Sequence, residues 1–172
     1  AVVSVRASLL LTMDELFQYL DYDAEVQLNR SYRMGRLEQE VLSVPGVVAV
    51  ESWGSVGTYR LRPDGSEGGD IYLSAPPAET RMLNPTMLEG RWLLPEDENA
   101  IVVNTYVLED EPDLDIDNEV VLDLDDRETT WRIVGIVQPG HPTSEAYANY
   151  SYLARLVRQV GRASNVYIIT EQ

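Results

Sequence analysis

The densest set of possible metal ligands in this chain is the acidic run Asp113, Asp115, Asp117 and Glu119. Carboxylates two residues apart are how a calcium loop begins, because Ca²⁺ takes hard oxygen donors. Counted from Asp113, an EF-hand loop also needs glycine at its sixth position and a bidentate glutamate at its twelfth. Those positions hold Asn118 and Leu124. The flanks read as strands rather than helices, so the run is expected to be a solvated acidic loop. His141 is the single histidine, between Gly140 and Pro142, with Ser144 and Glu145 close by in sequence. A Ser/His/acid relay needs three groups converging from separate elements. Sequence-adjacent partners in one loop do not predict that, and one histidine is a weak basis for a metal site.

Other chemistries fare no better. Paired carboxylates could run glycoside chemistry, but 29 acidic residues offer so many pairs that no pair is informative. Trp53, Trp92 and Trp131, with ten tyrosines, could line a sugar groove; sheet cores and edges favour the same residues. The glycine-rich stretch over residues 63–69 lacks the Gly-Lys-Ser/Thr ending and the following helix of a phosphate loop. With no cysteine, disulfides, thiolate zinc sites and thiol catalysis are excluded together. No cofactor, no metal and no catalytic residue are expected.

Charge narrows the partners. All 13 basic residues are arginine, and the net charge is −16. Such a surface repels phosphate backbones, so nucleic acid is not an expected partner, and long-range attraction to anionic lipid is disfavoured in the same way. No run approaches the roughly 20 apolar residues of a membrane helix, and no signal-peptide pattern is visible. The chain opens Ala1-Val2-Val3 and is amphipathic by Leu9, as a piece of a longer polypeptide would be.

The elements that must position these residues can be read in order. Leu9, Met13, Leu16, Phe17 and Leu20 share one helical face, giving a helix over residues 5–20. Residues 22–28 alternate apolar and polar, as a half-buried strand does; residues 29–33 are expected to be a loop. Met34, Leu37, Val41 and Leu42 mark a second helix, ended at Pro45-Gly46 and followed by a strand to Trp53. A helical crossover favours parallel or split pairing of the two strands over a hairpin. Strands over 55–62 and 70–75 form a hairpin with a polar tip. A short helix is expected around 79–83, then strands at 100–104, 120–124 and 130–137, the last two as a hairpin. A helical turn is placed at 105–109 and a connector at 138–144. Leu153, Leu156, Val157 and Val160 mark a helix with Gly161 as its C-terminal cap, before a strand at 165–170.

The most distinctive phrase is residues 88–104. Gly90 punctuates a turn or helical segment, Arg91-Trp92-Leu93-Leu94 is an apolar entry stopped by Pro95, and an acidic turn leads into a Val-rich strand ending at Asn104. Together with Val44-Pro45-Gly46-Val47, Asp117-Asn118-Glu119-Val120-Val121-Leu122 and Trp131-Arg132-Ile133-Val134-Gly135-Ile136-Val137, this ordered set resembles the extracytoplasmic domain of MacB/FtsX-type ABC-transporter permeases. Asp117-Asn118 departs from the Gly-Asp usual at that turn. The residues carrying the likeness, Gly90, Arg91, Trp92, Pro95, Asn104 and Gly135, have a structural role in this reading.

The resemblance implies an α+β fold. Residues 1–20 would form a helix leading from a membrane segment. Residues 21–77 and 144–172 would form a porter-like βαβ lobe, and residues 78–143 a smaller β-rich lobe inserted in it, with 88–104 as the hinge. It implies a non-catalytic, extracytoplasmic domain at the cell membrane. That domain would couple ATP hydrolysis by a cytoplasmic ABC ATPase, reached through membrane helices, to an envelope protein or exported substrate. A homodimer is expected only in the full-length permease. The competing reading is a free-standing extracellular module that binds peptide or carbohydrate.

Overall fold

The computed structural model describes residues 19–171, which form a mixed α+β fold of nine strands and three short helices. The helix expected over residues 5–20 lies outside the described residues except for Tyr19 and Leu20. Leu20 bridges to Leu83.

One strand organises the whole. β2 (Val47–Leu61) is 15 residues long and continuous where two strands were expected. Its first half pairs antiparallel with β9 (Arg162–Thr170), which pairs antiparallel with β1 (Ala24–Arg33). β1 and β2 therefore run the same way with β9 between them, and α1 (Met34–Leu42) joins them. This is the split βαβ arrangement expected of a helical crossover. α1 has no fully buried residue; Met34, Leu37 and Val41 are half-buried where it rests on the layer.

The second half of β2 belongs to a closed ring. It pairs with β3 (Glu67–Ala75), and β3 pairs parallel with β8 (Glu145–Tyr147). β8 pairs with β5 (Ala100–Asn104), β5 pairs parallel with β7 (Glu128–Val137), and β7 pairs with β6 (Glu119–Asp123). β6 returns to β2 at residues 59–61 and closes the circuit. Closure removes the exposed edges that an open sheet of this size would present. β4 (Met87–Gly90) adds to the far end of β7.

Two apolar clusters follow from strand alternation. Leu73, Ile101, Val103, Val120, Leu122, Trp131, Ile133 and Ala146 fill the ring. Trp53, Tyr167, Leu93, Ala100, Val102, Val137 and Tyr147 fill the junction between ring and layer. β5 shows the division most clearly. All five of its residues are buried, Ile101 and Val103 on the ring side and Ala100 and Val102 on the junction side. Each fully buried Val or Ile contributes about 2 kcal/mol, which makes β5 the anchor shared by both clusters.

Several sequence expectations are corrected. β1 runs through residues 29–33 instead of ending in a loop, and most of it is exposed on both faces. It is the edge strand of the layer, so its alternation has no core to face. Residues 79–83 form turns rather than a helix. Gly90 ends a strand rather than a helix. α3 (Tyr150–Leu156) stops at Val157, and Gly161 lies in the turn into β9 rather than at the helix end. β8 lies just after the connector at 138–144 and was not foreseen; three residues are too few for a period to register. The hairpins at 120–137 and 55–75, the strand at 100–104 and the helical turn after it stand where expected; that turn is α2 (Thr105–Asp110).

Candidate functional site

The phrase at residues 88–104 runs along the junction, and its local structure follows from its residue types. Gly90 has φ +69° and pairs with Gly135 across β4 and β7. A β-carbon at Gly90 would overlap the Val134 carbonyl oxygen, and one at Gly135 would overlap the Arg91 carbonyl oxygen. The two glycines thus allow backbone-to-backbone approach. Immediately after, the Arg91 N–H donates to the Val134 carbonyl at 2.9 Å.

Residues 91–97 then form a closed loop. The Arg91 guanidinium grips Asp97 through both nitrogens, at 2.7 and 3.0 Å, and donates to the Trp92 carbonyl at 3.0 Å. Asp97 also accepts the Leu94 N–H at 2.8 Å, while its own N–H donates to the Leu94 carbonyl at 3.0 Å. Pro95, exposed, occupies the second position of this turn, where its fixed φ fits. The Arg91 guanidinium holds the Asp97 carboxyl below its ordinary pKa, against a partial burial that opposes it. From the other side Asn149 donates to the carbonyls of Leu94 (2.6 Å) and Asp97 (3.0 Å), tying the loop to the start of α3. The Trp92 ring lies 5.3 Å from Tyr147 in the junction cluster. Arg91 thus closes the loop through Asp97, and the Trp92 ring packs against the second apolar cluster.

Asn104 ends the phrase and is 1% exposed. Its side-chain oxygen accepts the N–H groups of Val107, capping α2, and of Glu145, both at 3.3 Å. Its amide donates to the Thr143 carbonyl at 2.8 Å. One buried amide thus joins β5, α2 and the connector before β8, which is the kind of satisfied polar group an interior tolerates.

Beside it lies a titratable cluster. Glu145 is buried and accepts from Ser74 at 2.9 Å, while its second oxygen has no hydrogen-bond partner. His141 Nδ1 stands 3.9 Å from that oxygen. The carboxylate raises the His141 pKa above its ordinary value, against burial that lowers it. Tyr19 donates to Tyr147 at 3.1 Å, and burial pushes both phenols well above their ordinary range. Ser144 turns away to Asp110, at 2.6 Å. Ser144, His141 and Glu145 therefore make no nucleophile–base–acid relay.

Three of the four carboxylates in the acidic run are taken up in structural contacts. Asp113 takes both nitrogens of Arg60, at 2.6 and 2.7 Å, and Asp117 takes Arg132 at 2.7 Å. Asn118 Oδ1 accepts the Asp115 N–H at 2.9 Å, and the Asp115 carboxylate accepts the Ile116 N–H at 2.7 Å. Among the described residues no three His, Asp or Glu side chains converge as metal ligands do. What sequence reasoning missed is Glu111. It is 2% exposed and receives Arg60 at 2.7 Å and Arg62 at 2.7 and 2.9 Å. Burial pushes its carboxyl up, but the two guanidiniums outweigh it and the pKa is lowered. The signal was present in β2: Thr58 and Arg60 share its inward face, and an inward arginine demands a buried acid.

Comparison with known proteins places this arrangement. The periplasmic region of MacB from Actinobacillus actinomycetemcomitans matches 86% of this chain and 73% of its own, with TM-score 0.62 and 10% identity. The extracellular domain of the noncanonic ABC-type transporter YknZ from Gram-positive bacteria matches 86% of this chain and 82% of its own, with TM-score 0.60 and 14% identity. This chain shares the fold of those extracytoplasmic domains. No family model and no curated protein sequence matches it. The MacB-like likeness rests on three-dimensional arrangement, as expected where identity is this low. No helix among the described residues is long and apolar enough to cross a membrane.

Proposed function

We propose that this chain is the extracytoplasmic domain of an ABC-transporter permease. It would pass motion driven by cytoplasmic ATP hydrolysis to an envelope partner or exported substrate, without chemistry of its own. The observation that carries the reading is the MacB-like and YknZ-like fold over 86% of the chain. It is supported by the way the chain enters and leaves the layer. The Asp23 N–H donates to the Ile168 carbonyl at 2.8 Å, and Asp23 accepts the Thr170 N–H at 2.6 Å. Lead-in and lead-out strands side by side suit a domain carried between two membrane helices.

In this reading the domain has two lobes. One is the porter-like layer of β1, α1, the first half of β2 and β9, built from N- and C-terminal segments. The other is the ring. Because residues 54–75 pair into the ring, we set the boundary inside β2, between Trp53 and Gly54, and the inserted β-rich lobe becomes the larger. Residues 88–104 then brace the junction, with Gly90–Gly135 and Arg91–Asp97 as its fixed points. Motion between lobes would be carried by elements with two discrete arrangements, biased by nucleotide state.

The test is purification of the full-length gene product in detergent. Co-purification of an ABC ATPase, fused or separate, whose turnover changes when this domain is deleted is the expected result. A gene product with a cleavable leader, no membrane-length apolar segments and no associated ATPase would overturn the reading in favour of a free-standing binding module.

A further inference from the structure

In a chain with net charge −16, most guanidiniums are held by carboxylates or backbone carbonyls, yet four arginines gather in one place. Arg30, Arg33, Arg36 and Arg162 line a groove of about 410 Å³ where the end of β1, the start of α1 and the start of β9 meet. Glu40 is the one acidic residue lining it, and it pairs only with Arg36, at 2.8 Å. No carboxylate among the described residues is in ion-pair contact with Arg30, Arg33 or Arg162.

Two of these groups are already positioned. Arg162 donates to the Ser31 carbonyl at 2.7 Å, which fixes it across the strands. Arg30 donates to the Tyr32 hydroxyl at 3.0 Å, and its guanidinium carbon lies 5.0 Å from the centre of that ring. Arg30 falls inside the break of register between Gln27 and Tyr32, and such irregularities re-aim side chains. Guanidiniums held this way match the planar, two-oxygen geometry of carboxylates.

We propose that this groove docks an acidic segment of a partner protein. Charge complementarity selects the partner: the groove is the local exception to an acidic surface. At physiological salt the repulsion from distant acids is screened beyond about 8 Å, whereas contacts in the groove act at closer range. The groove also lies at the far end of the layer from Asp23 and Thr170. β9 spans nine residues, roughly 26 Å from Arg162 to Thr170 at the rise of a strand. On the reading of the preceding subsection, this end faces away from the bilayer, which favours a protein over lipid headgroups.

The experiment measures binding of a fluorescein-labelled oligo-glutamate peptide to the purified chain by anisotropy. Vesicles of phosphatidylglycerol with phosphatidylcholine form a parallel arm. The expected result is saturable peptide binding at about 0.15 M salt, weakened about tenfold by Arg33→Glu with Arg30→Glu and unchanged by Arg132→Glu, a charge reversal on β7. Arg33→Gln with Arg30→Gln, checked for an unaltered melting curve, covers the case in which charge reversal disturbs folding. Absence of saturable binding, equal loss with Arg132→Glu, or groove-dependent binding to vesicles but not to peptide would each overturn the proposal. Failure to find an ATPase with the full-length protein would leave the peptide result unchanged, so the two readings fail separately.

Discussion

Gly90 of β4 stands opposite Gly135 of β7, and neither position has room for a β-carbon. The pair lets the chain turn from the ring's edge into the 91–97 loop with the Arg91 N–H still bonded to Val134. At Gly90 the positive φ adds a second penalty for any side chain. Gly90→Val is expected to cost roughly 3 kcal/mol or more, and Gly135→Ala roughly 1–3 kcal/mol, from overlap with backbone that cannot retreat. Denaturant unfolding checks both; unchanged stability in Gly90→Val would remove the brace from the architecture.

Glu111 binds two arginines inside the ring's end. Glu111→Ala leaves the nearly buried Arg60 with only Asp113, and a loss of roughly 3–5 kcal/mol is expected. The pH dependence has a definite sign. The folded-state pKa of Glu111 is lowered, so its contribution is present above the unfolded value of about 4.3 and is lost as pH falls through the folded value. Wild-type melting temperature should therefore drop on acidification below about pH 4.3, and more shallowly in Glu111→Gln. Parallel curves for the two would contradict this.

Asp97 closes the 91–97 loop through Arg91 and the Leu94 N–H. Asp97→Ala is expected to cost roughly 1–2 kcal/mol, a charge-assisted bond plus a turn bond. The loop itself gives the sharper readout: chymotrypsin should cut after Trp92 or Leu93 faster in the variant. Asn149→Ala, which releases the same loop from α3, should do likewise.

His141 is the only imidazole, so its titration is a single resonance by NMR. Its folded pKa is raised by Glu145. The stability it adds is fully present below the unfolded value of about 6.5 and is lost as pH rises through the folded value. Glu145→Gln should bring the midpoint back down, and a midpoint that does not move would show the pairing absent in solution.

Much of the fold was legible in the chain because its signals are local. The β-branched run Ala100–Asn104 bounded by turn residues is a strand wherever it sits, and Asp125-Asp126 between two alternating runs makes a hairpin turn at positive φ. Gly90, Pro95 and Asn104 also stood out by type, since each serves a backbone need. Glu111 did not, because its role depends on arginines about 50 residues earlier. The alternation at 22–28 misled for the converse reason: period two specifies a strand but does not supply a core for its apolar face.

By itself, then, the sequence determined a β-rich α+β chain without thiol chemistry, its hairpins, and the turn devices at 88–104. Those follow from side-chain periodicity, glycine and proline backbone limits, and residue inventory. The tertiary structure alone decided that β6 closes on β2, that β9 inserts between β1 and β2, that β2 pairs with β9 at one end and with β3 and β6 at the other, and that Arg30 and Arg162 share a groove. Strand partners and convergent side chains are chosen by contacts between residues far apart in the chain, and no local pattern specifies which distant partner completes them.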